Sequence, residues 1–458
     1  MPSSRSPFDP RSRGGRHCAC SCARAFAACT LAICLLAGPS HAQDKPPLPL
    51  DEALRLAATR SRLAEATRAQ GQAAREMATA AGQRPDPVLK VGVNNVPVDG
   101  PDRWSLTRDF MTMRSVSLMQ ELTWGDKLKA RAAREQGEAE LAQVNERQAL
   151  AMARREAAVA WLERSIQQSM RELLLAQQAR ARDQVAVAEA AQRGGRGAAA
   201  DVLAARMQVE QFEERIAQVD RAITVATTQL ARWVGDEADR PLAARPVLAM
   251  PDWAGGDLGA AAAHHPEVAA AQQQEALARS EADLARANRS PDWSVELMYS
   301  QRGPSYSNMM SLNFSLPLPW QAAQRQDRET AARQAQLAQA AAQREDIERA
   351  RAAELRTLLQ EWGNLERRAR HHDATLLPLA QQRTQAALAA YRGGSGTLTG
   401  VFDAAQAELD VRLDSLRLQQ EIARLWAQAT TWSPAEPAPP AAASAHGERA
   451  AMAARSTP

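Results

Sequence analysis

Three landmarks in this chain recur in the same order at a nearly constant offset. Arg84-Pro85-Asp86 returns as Ser290-Pro291-Asp292, 206 residues on. The segment from Val116 to Trp124 returns as Leu312 to Trp320 at an offset of 196, and Arg193-Gly194-Gly195-Arg196-Gly197 returns as Arg392-Gly393-Gly394-Ser395-Gly396 at 199. Both Gly-rich copies continue alike, with Asp201-Val202-Leu203 against Gly400-Val401-Phe402. Ordered recurrence of this kind marks a tandem duplication, so whatever one copy folds into, the chain must accommodate twice.

Each copy reads as helix, paired strands, very long helix, Gly-rich turn, helix. Leu89, Val91 and Val93 alternate with Lys90, Gly92 and Asn94, the period of a half-buried strand. Val116 and Leu118 alternate less cleanly with Ser115 and Ser117 in the strand from Met113 to Leu122, and in the second copy Trp293, Val295, Leu297 and Tyr299 oppose Ser294, Glu296, Met298 and Ser300. Met310, Leu312, Phe314, Leu316 and Leu318 complete the set. Strands of about 10 residues suffice to cross a bilayer at a tilt. Residues 126–192 and 321–391 then read as helices of roughly 100 Å, the second kinked by Pro378. Their apolar seams step by three and four: Val159, Leu162, Ile166, Met170, Leu173, then Leu355, Leu358, Trp362, Leu365. Helices over residues 198–232 with 257–289, and 397–431 with 49–83, are long enough to return the chain to its strands.

The N-terminus reads as a signal peptide. Arg5, Arg11, Arg13, Arg16 and Arg24 precede the apolar stretch Ala25–Ala37, and Ser40-His41-Ala42 supplies the small residues before a cleavage point, so the mature chain is expected to begin at Gln43. All five cysteines lie in this leader, which removes disulfides, thiol nucleophiles and thiolate metal sites from the mature chain. Of 56 basic and 53 acidic residues the leader holds five and one, leaving 51 against 52 and a net charge of −1. The basic balance therefore belongs to the leader, and nucleic acid is not an expected partner. No later stretch is apolar enough for a membrane helix, and no catalytic motif is present. The segments are a signal peptide (1–42), a first repeat (43–235), a linker (236–256), a second repeat (257–432) and a disordered Pro/Ala-rich tail (433–458).

Four strands cannot close a membrane barrel, and open edges are not tolerated in lipid. Several chains must share one barrel, and the helical seams are expected to need neighbours as well. At this point the chain resembles the TolC family of outer-membrane efflux proteins. Pro85-Asp86-Pro87 leads into the first strand as in that family, the Gly-rich turns have its flanks, and His265-Pro266-Glu267 is similar to its Pro-Glu-hydrophobic helix start. The resemblance implies a mainly α protein with a small β part: a homotrimer with four strands per protomer in a shared 12-stranded membrane barrel, above a long periplasmic α-helical barrel. It implies a non-enzymatic exit duct without cofactors, working with a periplasmic adaptor (membrane fusion protein) and an inner-membrane pump of the RND type, and embedded in outer-membrane lipid. Asn94-Asn95-Val96-Pro97 and the Met-rich strand after it are similar to the heavy-metal efflux branch, so metal cations are the first expectation for cargo, with drugs or a type I secreted protein as alternatives. A soluble periplasmic coiled-coil scaffold is the rival class.

Carried residue by residue, the resemblance assigns Arg193, Gly194, Gly195, Gly197, Arg392, Gly393, Gly394 and Gly396 to a periplasmic tip that meets the adaptor. It assigns Asp201 and Asp403 to a tunnel constriction, where rings of like charge would favour cations. Gly400 departs from the pattern by standing where a second acid is usual. Trp124 and Trp320 close their strands and are expected at the membrane interface. Met111, Met113, Met119, Met298, Met309 and Met310 carry thioethers suited to Cu(I), although barrel surface and extracellular loop are the simpler reading. His264-His265 and His371-His372 are adjacent pairs that cannot chelate alone, and they read as solvated helix ends or faces.

Overall fold

The computed structural model describes residues 45–432, Arg196 excepted; the expected leader and tail lie outside the described residues. Its elements are α1 (Leu50–Arg60), α2 (Arg62–Ala81), β1 (Val88–Asn94), β2 (Met113–Leu122), α3 (Gly125–Arg193), α4 (Ala199–Val234), α5 (Leu258–Ala263), α6 (Pro266–Ala287), β3 (Trp293–Gln301), β4 (Met309–Ser315), α7 (Gln326–His371), α8 (Leu377–Arg392) and α9 (Leu398–Ala429). Among the described residues no helix is long and apolar enough to cross a membrane.

Helix α3 is unbroken over 69 residues, about 100 Å, because its interior is Ala-rich and free of proline. Its one interior glycine, Gly137, is a contact point: a Cβ there would come within 3.2 Å of Leu277 Cδ1, so its absence lets α6 lie close. The second long helix differs from expectation. It begins at Gln326 rather than 321, and β4 ends at Ser315, short of Leu318, since Pro317 and Pro319 cannot donate to a strand ladder. It is also interrupted by one π turn at His372–Leu376, where the Leu377 N–H donates to the His372 carbonyl. Pro378 follows at once in the first turn of α8. Its missing N–H and bulky ring exclude a regular turn before it, and the wider turn is how the expected kink is realised.

The seams are buried inside one chain, which corrects the expectation that they need neighbours. Helix α3 is central, packing against α1, α2, α4, α6 and α9, so the return helices of both repeats cover it. Trp161, Leu162, Ile166, Met170 and Leu174 form a core with Phe212, Ile216, Leu230, Leu409 and Leu413. In the other repeat Leu355, Leu358, Trp362 and Leu365 are buried. The Trp161 indole donates to the Leu48 carbonyl (3.1 Å), and Leu48 bridges to Leu242 of the linker, tying the start of the described chain to the joint between repeats. Between α3, α6 and α7, Glu281 pairs with Arg134 (3.8 Å) and Arg333 (3.0 Å), and Glu275 with Arg344 (2.6 Å). Such surface pairs add little stability each, but they fix which turns face one another.

The strands form one antiparallel sheet in the order β1-β2-β3-β4. All helices join it at one end, while residues 95–112 and 302–308 link strands at the other. The register aligns like with like: Leu89, Leu118, Leu297 and Leu312 make one row across all four strands, and Val91, Val116, Tyr299 and Met310 the next.

Candidate functional site

The sheet is inside out by the standard of a water-soluble fold. Leu118 of β2 is 52% exposed, whereas its neighbour Ser117 is 4% exposed, and Ser115 and Ser300 are buried as well. Apolar rows therefore coat the open face and polar residues line the sheltered one. On the sheltered face Glu296 accepts from Ser117 Oγ (2.6 Å) and pairs with Lys90 Nζ (3.3 Å), and Asn94 donates to Ser115 Oγ (2.8 Å). Exposing continuous rows of leucine and valine to water is unfavourable, whereas apolar-out and polar-in alternation is what a bilayer-embedded, water-filled barrel requires. Trp124 and Trp320 are both exposed at the helix-side end of the sheet, as are Leu316 and Leu318 just beyond β4. The Trp124 indole donates to the Pro291 carbonyl (2.9 Å).

That bond belongs to a junction which sequence reasoning missed. Lys127, in the first turn of α3 and only 4% exposed, donates to the Ser290 carbonyl (2.7 Å) and pairs with Asp292 Oδ1 (2.9 Å), and Arg131 approaches Asp292 at 3.7 Å. The recurring Ser290-Pro291-Asp292 landmark is thus a socket that clamps the head of α3 to the start of β3. The signal that could have found it is a Lys two positions into a helix, where acidic residues are the favoured charge.

At the far end the two Gly-rich turns have the same construction. Gly195 (φ +72°) and Gly394 (φ +76°) occupy the left-handed region that glycine adopts without steric cost. The Gly194 and Gly393 N–H groups close the preceding helices onto Ala190 and Ala389 (3.0 and 2.9 Å). Gly197 and Gly396 lie so close to the preceding helix ends that a Cβ would meet them at 3.1 and 3.0 Å. Asp201 and the departure at Gly400 acquire a local explanation. In the first turn Asp201 Oδ2 accepts from the Ala198 N–H (3.2 Å); in the second, Thr397 Oγ1 accepts from the Gly400 N–H (3.1 Å). Each copy keeps one half of a reciprocal capping box, so Asp201 caps α4 whatever else it does. The hairpins meet where Val202 and Phe402 pack with Ala188 and Ala205. This brings Asp201 and Asp403, the neighbours in sequence of that pair, to one end of the molecule. Arg206 lies 2.7 Å from Glu189 and holds its carboxyl below the usual range, with Arg193 contributing. Arg392 makes no ion pair among the described residues.

Histidine corrects the sequence reading at one position. His264 ends α5 in the open, but His265 is buried: it caps α6, accepting from the Glu267 N–H (3.2 Å), and its ring lies 4.4 Å from that of Trp432. Burial lowers its pKa, against which Glu267 and Glu354 pull upward while Arg351 and Arg155 add to the lowering. The pattern was hidden because Trp432 returns from the end of the described chain to cover it. His371 and His372 lie at the π turn. Among the described residues no group of three His, Cys, Asp or Glu is placed to hold a metal ion.

A family profile described as outer membrane efflux protein matches residues 258–430. Similar solved structures include CusC (TM-score 0.73, 16% identity, 84% of this chain and 92% of that one) and VceC of Vibrio cholerae (0.69, 18%, 83% and 96%). CmeC of Campylobacter jejuni, an outer-membrane channel, aligns at a TM-score of 0.70 with 11% identity over 85% and 87% of the two chains. No curated protein matches in sequence at a significant level. With its mainly α architecture and four-stranded inside-out sheet, the chain has the fold of these outer-membrane channels, and its second repeat carries the sequence profile of outer membrane efflux proteins.

Proposed function

We propose that this chain is one protomer of a homotrimeric exit duct in a tripartite efflux system. Three copies of the sheet join edge to edge into a 12-stranded barrel in the outer membrane, and the helices form a periplasmic tube beneath it. An adaptor engages the tip around Gly194, Gly195, Gly197, Gly393, Gly394 and Gly396, with Arg193 and Arg392 beside them. An inner-membrane pump of the RND type drives transport, and the duct itself is a passive conduit, not an enzyme. Asp201 and Asp403 bias the narrow end toward cations, and Trp124 and Trp320 sit at the membrane interface. Metal cations are the proposed cargo.

The observation that carries this reading is the inside-out sheet with β1 and β4 as unpaired edges, set on helices of about 100 Å. A soluble scaffold protein would have no use for an exposed Leu89-Leu118-Leu297-Leu312 row. The test is migration of the detergent-extracted outer-membrane fraction on SDS gels with and without heating, with single-particle images of the same sample. A heat-sensitive oligomer seen as a tube supports the duct; a soluble periplasmic monomer overturns it. Cargo is tested separately by metal, drug and secretion phenotypes of cells lacking the gene, and unaltered metal tolerance refutes that part.

A further inference from the structure

The two faces of the sheet differ in which apolar residue they use. The outward face is built mainly from Leu, Val, Trp, Tyr and Phe, with Arg114, Gln120 and Gln301 towards its ends and a single methionine, Met310. The inward face is otherwise Ser, Asn, Lys, Glu and Gly, yet carries Met113, Met119, Met298 and Met309, with Val88 its other apolar residue. Four of the five strand methionines therefore point where apolar burial is least needed. If methionine served only as a flexible hydrophobe, the lipid-facing side is where it would be expected.

Register places three of the four in a line. Met119 of β2 stands opposite Glu296, two residues before Met298 of β3; Met309 of β4 stands opposite Ser300, two residues beyond it. Each step is a diagonal of about 7–8 Å between neighbouring strands, within reach of two long thioether side chains converging on one ion. The sulfurs already face positive charge: Met119 Sδ lies 3.5 Å from Lys90 Nζ, and Met309 Sδ 4.0 Å from an Arg302 guanidinium nitrogen. A passing ion has to displace the first of these contacts, and Glu296 is placed to keep the released ammonium, at 3.3 Å. The same engagement leaves Glu296 a poor ligand for a hard cation, and Glu121, at the helix-side end, is the remaining carboxylate on this face.

We infer that Met119, Met298 and Met309 form a soft-cation path on the barrel wall, binding Cu(I) or Ag(I) transiently in preference to Zn(II) or Co(II). The inference rests on the conduit reading and narrows its cargo to monovalent soft metals at this site. The test is equilibrium dialysis of the detergent-solubilised full-length oligomer against silver nitrate in chloride-free buffer, with silver counted by mass spectrometry. The wild type is compared with a Met119→Leu, Met298→Leu, Met309→Leu variant, and with Met310→Leu as the outward control. Leucine preserves volume, and the heat-sensitive band confirms assembly; the single Met298→Leu variant serves if the triple one fails to assemble. The wild type should hold about one Ag(I) per protomer, the triple variant should bind at least about tenfold more weakly, and Met310→Leu should be unchanged. Equal silver binding in the wild type and the leucine variants, or equal uptake of Zn(II) by the wild type, overturns the path. Cellular metal tolerance reports on cargo independently: methionine-dependent silver binding with unaltered tolerance would sink the cargo reading and leave this site standing.

Discussion

Replacing Trp432 with alanine should loosen the joint between the repeats without unfolding the stem. The indole is 1% exposed and packs with Leu355, Ala261 and Ala262, against the ring of His265 at 4.4 Å. Burial of about 200 Å² of aromatic surface is worth about 5 kcal/mol at about 25 cal/mol per Å². Against this, the indole N–H has no partner among the described residues, and an unpaired buried donor costs about 1–3 kcal/mol. Truncation removes that penalty along with the packing, so the net loss should be about 3 kcal/mol. Read locally, that is about a hundredfold faster amide exchange in the last turns of α9 and the first turn of α6. Phenylalanine keeps most of the surface and discards the orphan donor, so Trp432→Phe should exchange within a few-fold of wild type. Hydrogen exchange by mass spectrometry on peptides covering residues 258–268 and 425–432 reads both. Unaltered exchange in Trp432→Ala would refute the packing argument, and a Trp432→Phe loss equal to that of alanine would refute the cost assigned to the N–H.

Other expectations follow from the same geometry. The depressed His265 pKa means that the unfolded state takes up a proton first, so stability is fully present above about pH 6.5 and falls as pH drops below it; exchange at this joint should rise between pH 7.5 and 5.5, and His265→Gln should flatten the slope. Gly394→Ala forces an L-residue to φ +76° and should cost about 1 kcal/mol, seen as faster exchange confined to the tip. Leu118→Arg, on the outward row, should cost about 2–4 kcal/mol if it falls near the bilayer midplane and lower the temperature at which the oligomer band disappears. Leu118→Ile should leave that temperature nearly unchanged.

Much of the fold was legible because it was written twice and in strict periods. The alternation that reads weakly in Val116 and Leu118 becomes plain once Leu297 and Leu312 fall in register with Leu118. The 126–192 helix needed only the absence of breakers. What sequence could not give were features set by contacts between distant segments. Lys127 reads as an ordinary surface lysine until Asp292, 165 residues away, is folded against it, and His265 reads as solvated until Trp432 covers it. The π turn sits before Pro378 rather than at it, since the strain of a missing donor is relieved one turn upstream. At the tip, Asp201 was legible as an acid by its position but not as the cap of its own helix.

The unpaired edges of the sheet have a consequence for biogenesis. In the proposed trimer the strands are completed only by other copies, so the stability of the barrel is gained by mass action, and the concentration of assembled rings scales with the third power of free protomer concentration. Below that threshold β1 and β4 present bare hydrogen-bonding edges beside an apolar face, the combination that invites aggregation. The α-helical stem, whose core is buried within one protomer, can fold first and hold the sheet ready. Expression level, rather than intrinsic stability of the chain, would then decide whether a cell makes ducts or aggregates.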